Sequence, residues 1–188
     1  MKKFVFLLFS LVTAVACSPA TTINPAETEN AVEPAVSIPR VTYPPQPDPD
    51  FALIFEYGAC FRNRLDTFDN AFTYDQVKPA ITIPFTLTEE EMITIYEKLM
   101  AIDYFSYPET FSIDVSDAEM IGVVEPFDTY LFVVRSGNTI KRVQWADRIE
   151  FPTSPRAESL RKLARLIIKT IEDRFEFQQL PEPEFGCI

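Results

Sequence analysis

Histidine is absent from all 188 residues. That removes the commonest general base, every Ser–His or Cys–His pair, and every imidazole-bound metal site. Glycine occurs only four times, each time isolated, so no glycine-rich loop is available to cradle a phosphate. Of the three cysteines, Cys17, Cys60 and Cys187, no two lie at metal-ligand spacing. Positive charge is scarce as well: 17 basic residues against 28 acidic ones leave a net charge of −11, which disfavours nucleic acid as a partner. No apolar run reaches the ~20 residues that a spanning helix needs. Neither a cofactor nor a metal is expected.

What is present begins at the N-terminus. Lys2 and Lys3 precede Phe4 to Ala16, a run without charge and almost wholly apolar. It ends in Ala14-Val15-Ala16-Cys17, small residues followed by a cysteine. An ordinary secretory signal also ends in small residues. With the cysteine, the pattern resembles the lipobox of bacterial lipoproteins, although alanine at position 14 replaces the commoner leucine. The resemblance implies a signal peptide over 1–16, diacylglycerol on the Cys17 thiol, cleavage before Cys17, and acylation (palmitate) of the new amino group. Two or three acyl chains, at about 0.8 kcal/mol per buried methylene, hold a protein stably where one does not. The expected address is therefore extracytoplasmic, lipid-anchored to the cell membrane, or to an outer membrane if the host has one.

Residues 17–50 read as the lipidated cysteine and a tether. Eight of the residues from Ser18 to Pro49 are proline and none is glycine. Such a segment cannot bury enough apolar surface to offset its ordering entropy. Proline biases it towards extended conformations, on the order of 3 Å per residue. Residues 51–188 are long enough for a single domain, and an apolar content of 47% is ample for its core.

Phe51, Leu53, Phe55 and Tyr57 alternate and predict a strand covered on one face. Leu65 to Phe68 and Ala71 to Tyr74 predict a hairpin turning at Asp69-Asn70. Ile81, Ile83, Phe85 and Leu87 alternate again, but Pro84 lacks an amide donor, which places this strand at an edge. Thr88 and Glu91 form a capping box ahead of a helix whose stripe is Met92, Ile95, Tyr96, Leu99 and Ile102. Phe111 to Asp128 is acidic and reads as a long loop. Tyr130 to Val134 and Thr139 to Trp145 form a second hairpin across Ser136-Gly137-Asn138. Ser154 caps a last helix with Pro155 in its first turn. Its stripe is Leu160, Leu163, Ala164, Ile167, Ile171 and Phe175. The expected fold is α+β, a two-layer domain in which an antiparallel sheet of hairpins carries two helices on one face.

Leu65-Asp66-Thr67-Phe68, Leu87-Thr88-Glu89-Glu90-Glu91-Met92, Ile102-Asp103-Tyr104-Phe105-Ser106-Tyr107-Pro108 and Leu180-Pro181-Glu182-Pro183 together resemble a family of uncharacterised bacterial lipoproteins. The resemblance spans about residues 51–188. It implies the same architecture and surface location, and it brings no activity, ligand or catalytic residue with it.

Several residues invite a chemical reading. Cys60 and Cys187 remain after processing and, outside the cytoplasm, can join across the fold; two free, buried thiols are the alternative. Ser159-Leu160-Arg161-Lys162 matches the Ser-x-x-Lys of penicillin-binding enzymes and Ser136-Gly137-Asn138 resembles their second motif, but the order is reversed and the Lys-Thr-Gly element is missing. Asp66 with Asp69 offers a carboxylate pair. Asp114, Asp117, Glu119, Glu125 and Asp128 lack the tight alternating spacing of a calcium loop. Arg156, Arg161, Lys162, Arg165 and Lys169 reverse the local sign on the last helix, as a contact face for anionic lipid or an acidic partner, or as a solvated surface. Tyr104, Phe105, Tyr107 and Phe111 line a groove or close a core. Three functional readings follow: a non-enzymatic binding or accessory domain at the cell envelope with a protein partner there, a small carboxylate-dependent hydrolase, or an inhibitor that presents the Phe111–Asp128 loop.

Overall fold

Apolar alternation makes the central strands. In the computed structural model, which describes residues 46–60 and 62–184, β1 spans Ala52–Gly58 and turns Leu53, Phe55 and Tyr57 into the core. β2 (Asn63–Asp66), β3 (Ala71–Tyr74) and β4 (Ile81–Pro84) follow as antiparallel neighbours, and Pro84 does lie on an edge strand. After α1 (Glu89–Ala101) and a 3-10 turn at Tyr104–Ser106 come β5 (Thr110–Phe111), β6 (Gly122–Val123), β7 (Thr129–Ser136), β8 (Thr139–Ala146) and β9 (Ile149–Phe151). α2 (Pro155–Glu172) and the short α3 (Phe175–Gln178) close the described chain.

The strand order is β4-β3-β2-β1-β7-β8-β5, with a separate pair β6-β9. Only β5 runs parallel to its neighbour, β8. β1 is therefore central, bonded to the first hairpin on one side and the second on the other. The fold is α+β with helices packed on a sheet, as the periodicities predict. Ile95, Tyr96 and Leu99 of α1 and Leu160, Leu163, Ala164, Ile167 and Ile171 of α2 meet the sheet residues Leu65, Phe72, Phe132, Val134, Val143 and Trp145 in one core. The opposite face carries polar side-chain pairs instead. Arg64 donates to Glu56 (2.8 Å) and Asp66 (2.7 Å), and the Thr73 and Thr82 hydroxyls meet at 3.0 Å.

Both helix starts are capped as expected. Glu91 N donates to Thr88 Oγ1 (3.2 Å) and Thr88 N to Glu91 Oε2 (2.7 Å), satisfying two end amides reciprocally. Ser154 accepts from Ala157 N, with Pro155 in the first turn. The domain takes hold of the chain slightly before Phe51: Ser136 Oγ bonds Asp48 Oδ2 (2.7 Å) and Arg135 Nε donates to Asp50 O (2.8 Å).

Three local expectations need correction. The first hairpin turns over residues 67–70, not at Asp69-Asn70 alone. Asp66 Oδ1 accepts from the amides of Phe68 (3.0 Å) and Asp69 (3.3 Å), which ends β2 early, and Asn70 takes the positive φ of 50°. The Phe111–Asp128 segment is not all loop, since it begins in β5 and contains β6. β9, α3 and the 3-10 turn are too short to leave a periodic signal. Phe175 is not on the α2 stripe. Arg174 leaves helical backbone (φ −82°, ψ 140°), so the spacing from Ile171 is lost and Phe175 is 70% exposed.

Candidate functional site

Three strand ends meet at one end of the sheet. Tyr57 of β1 lies opposite Asn63 of β2, and Tyr74 of β3 stands one step beyond the Arg64–Thr73 pair. All three share parity with core residues, so they face the helix layer, where all three are buried. The end of α2 brings Glu172 to this corner, and α3 brings Phe177 and Gln178. The tail folds back over it: Leu180 N donates to Phe177 O (2.9 Å), and Glu184 N to Gln76 O (2.9 Å). Between these pieces lies a groove of about 430 Å³, also lined by Leu180 and Glu182.

The Phe177 ring stands edge-on to Tyr74, 6.1 Å between centroids, and to Phe72 at 5.7 Å. Tyr74 donates to Gln76 Oε1 (3.2 Å), and Asn63 Oδ1 accepts from Asp75 N (3.0 Å). Tyr57 differs. Its hydroxyl is buried and has no hydrogen-bond partner. A buried polar group left in that state costs about 1–3 kcal/mol, so each one calls for an explanation. Burial pushes its pKa well above the usual tyrosine value; the Asn63 side chain partly opposes the shift, and Glu172 adds to it. Glu172 and Glu182 are exposed, form no ion pair among the described residues, and no lysine or arginine lines the groove.

A second recess, about 600 Å³, opens at the other half of the sheet between β5, β8 and the β6–β9 pair. Phe111, Ile113, Ile121 and Trp145 line it, with Arg148 at its margin. Beside it the β6–β9 pairing sets Gly122 opposite Phe151, and the Phe151 ring lies so close over Gly122 that an added Cβ would meet it at 2.8 Å. Met120, Ile121, Val123, Val124 and Phe151 are all exposed there.

The residues singled out from sequence fare differently. The five basic side chains of α2 do not form one free face. Arg161 makes a bidentate pair with Asp147 (2.7 and 2.6 Å), reaches Ile149 O (3.0 Å) and Glu158, and lies over the Trp145 ring. Arg156 sits 4.2 Å from the Tyr107 ring centroid and donates to Ser106 Oγ. Lys169 pairs with Asp173. Lys162 and Arg165 remain exposed. Neighbouring acids at positions 147, 158 and 173 account for the difference, and sequence spacing foretells only the nearer two.

Ser159 Oγ donates to Pro155 O (2.9 Å), so its hydroxyl is spent within its own helix. Asp66 is held by Arg64 and by two turn amides, which makes it a structural carboxylate. Tyr104, Tyr107 and Phe111 are buried in the core. No group of three or more acidic or thiol ligands able to hold a metal occurs among the described residues. Cys17 and Cys187 lie outside the described residues. Sequence reading did not find the Tyr57 groove. Its one available signal was a strand end carrying tyrosine opposite asparagine, polar groups in core parity. No protein-family model, curated protein or solved structure matches the chain.

Proposed function

We propose that the chain is a membrane-anchored, extracytoplasmic binding or accessory domain, lipidated on Cys17 and engaging a protein partner of the cell envelope. In the same reading it belongs with the lipoproteins it resembles, and an outer membrane is its address where the host has one. The address is supported by the charged start, the apolar run and the small residues before Cys17. The binding role is carried by one observation: Met120, Ile121, Val123, Val124 and Phe151 all stay exposed on and around the β6–β9 pair. A concentration of exposed apolar side chains in one short region is a mark of interaction sites. It also suits the inhibitor reading, since all of these residues but Phe151 stand on the segment between β5 and β7. The hydrolase reading finds two carboxylates, Glu172 and Glu182, in one groove, but both are exposed, whereas a general acid needs a desolvated setting.

Two measurements test the proposal separately. Intact mass of the membrane fraction should show a chain starting at Cys17 with a lipid-sized increment that Cys17→Ala abolishes. A mature chain that begins elsewhere without lipid overturns the anchor. Photo-crosslinking in cells from position 123 or 151 of the anchored chain should give a discrete protein adduct, absent from the exposed control position 97 on α1. Equal labelling from all three positions overturns the partner reading.

A further inference from the structure

The β6–β9 pair is apolar on both of its faces. Successive residues of a strand point to opposite sides, so Ile121 and Val123 share one face of β6, and Met120 and Val124 the other. The register shifts between Gly122 and Val123, which leaves Glu150 as the extra residue of a bulge and sends Ile149 and Phe151 to opposite faces. Phe151 covers Gly122 on the outer face, whereas Ile149 lines the recess with Ile121 and Val123. This inner face does not close on the main sheet. Ile121 and Val123 stay 48% and 50% exposed, and about 600 Å³ of open space separates them from Phe111, Ile113 and Trp145. Ligand sites have this size and this apolar lining, with a few polar groups that fix orientation. Arg148 is the one charged side chain on the wall among the described residues. Its guanidinium stands 5.7 Å from the Phe127 ring centroid and makes no ion pair among the described residues, although the chain carries 28 acids. The adjacent Asp147 is taken by Arg161.

We propose that this recess binds an anionic amphiphile, an alkyl chain bearing a carboxylate or phosphate head. The chain lies between Phe111 and Trp145 on one side and Ile121, Val123 and Ile149 on the other, and its burial takes apolar surface of both out of water. Arg148 donates to the head as a fork of charge-assisted hydrogen bonds. A cationic head would meet Arg148 as a like charge, and an uncharged one would leave the guanidinium unused. No carboxylate lines the recess to oppose an anion. The net charge of −11 repels anions elsewhere on the surface, so Arg148 marks where one is admitted. This ligand is additional to the protein partner: Met120, Val124 and Phe151 stand outside the recess and stay available to that partner.

The test uses the full chain in phosphatidylcholine nanodiscs and the fluorescence of Trp145, the single tryptophan of the chain, which lines the recess. Bromine on a bound alkyl chain quenches an indole that it touches. Dibrominated forms of stearate, phosphatidylglycerol, stearylamine and phosphatidylcholine are added at equal mole fraction. Saturable quenching is expected from at least one of the two anionic probes, roughly tenfold stronger than from the amine or the zwitterion. Quenching by stearate alone identifies a free fatty acid as the ligand source; quenching by phosphatidylglycerol alone identifies a membrane phospholipid. Arg148→Gln should weaken the effect roughly tenfold while leaving the photo-adduct from position 151 in place, so the ligand and the partner fail separately. Ile121→Asp should abolish quenching, and Met120→Asp, outside the recess, should leave it unchanged. Equal quenching by all the probes, undiminished quenching in Arg148→Gln, or none by either anion overturns the proposal.

Discussion

At Tyr104 the phenolic hydroxyl donates to the carbonyls of Phe132 (3.1 Å) and Lys141 (3.3 Å), whereas the Tyr57 hydroxyl meets none. The same substitution should therefore act in opposite directions. Tyr104→Phe is expected to destabilise by about 1 kcal/mol, and Tyr57→Phe to be neutral or slightly stabilising, as read by urea unfolding. Arg161 presents a different case. Its guanidinium and the Asp147 carboxylate are both largely shielded, at 17% and 13% side-chain exposure. Arg161→Ala leaves Asp147 without its partner and uncovers Trp145, for an expected loss of about 2–3 kcal/mol in the same measurement. Arg161→Lys should recover little, since an ammonium cannot reproduce the bidentate fork.

Among elements, α1 was legible almost to the residue. The Thr88–Glu91 pair and the stripe through Ile95, Tyr96 and Leu99 are local signals, and the structure reproduces them. Thr88→Ala should cost about 1 kcal/mol and lower the helical signal at the start of α1. Glu91→Ala should cost more, because Glu91 Oε2 also receives Arg174 Nη1 (3.1 Å) from the N-cap of α3. That second contact joins residues 83 apart in sequence, which no capping motif foretells. The end of α2 was read one turn too far for the same reason. Arg174 is drawn to Glu91, Glu176 and the Thr86 carbonyl, and these long-range and local pulls together break the helix before Phe175.

For the whole molecule, the six described tyrosines are all buried, and burial raises the pKa of each. A hydroxyl whose folded pKa exceeds its unfolded value keeps a proton that the unfolded chain releases. This contribution to stability is fully present below pH ~10 and is lost as pH rises beyond it. The urea midpoint should fall steadily above pH ~10, and phenolate absorbance should lag that of the denatured chain until unfolding intervenes. The Cys60–Cys187 bond is a proposal at the same scale. Arg62 N donates to Asp75 Oδ2 (3.2 Å), and Gln76 O accepts from Glu184 N, so residue 184 is held on the loop that also contacts the β1–β2 connection. Cys60 is exposed, which disfavours the alternative of a buried free cysteine there. Non-reducing mass of the mature chain should be lower by two hydrogen atoms, a difference that reduction removes.

The residues by themselves determined what depends on near neighbours: strand alternation, the two main helices, their caps, the edge placement forced by Pro84, and the α+β class. The lipid anchor on Cys17 belongs to that level too, as a proposal read from thirteen uncharged, mostly apolar residues and a cysteine. Tertiary structure alone decided the strand order, the pairing of Arg161 with Asp147, the break before Phe175, and the groove beneath α3. The physical reason is range. Periodicity and capping act over three or four residues, where chain geometry sets the distances. The groove exists only where β1, β2, β3, the end of α2 and the tail converge, and whether a tyrosine there finds a partner is settled by packing across the whole domain.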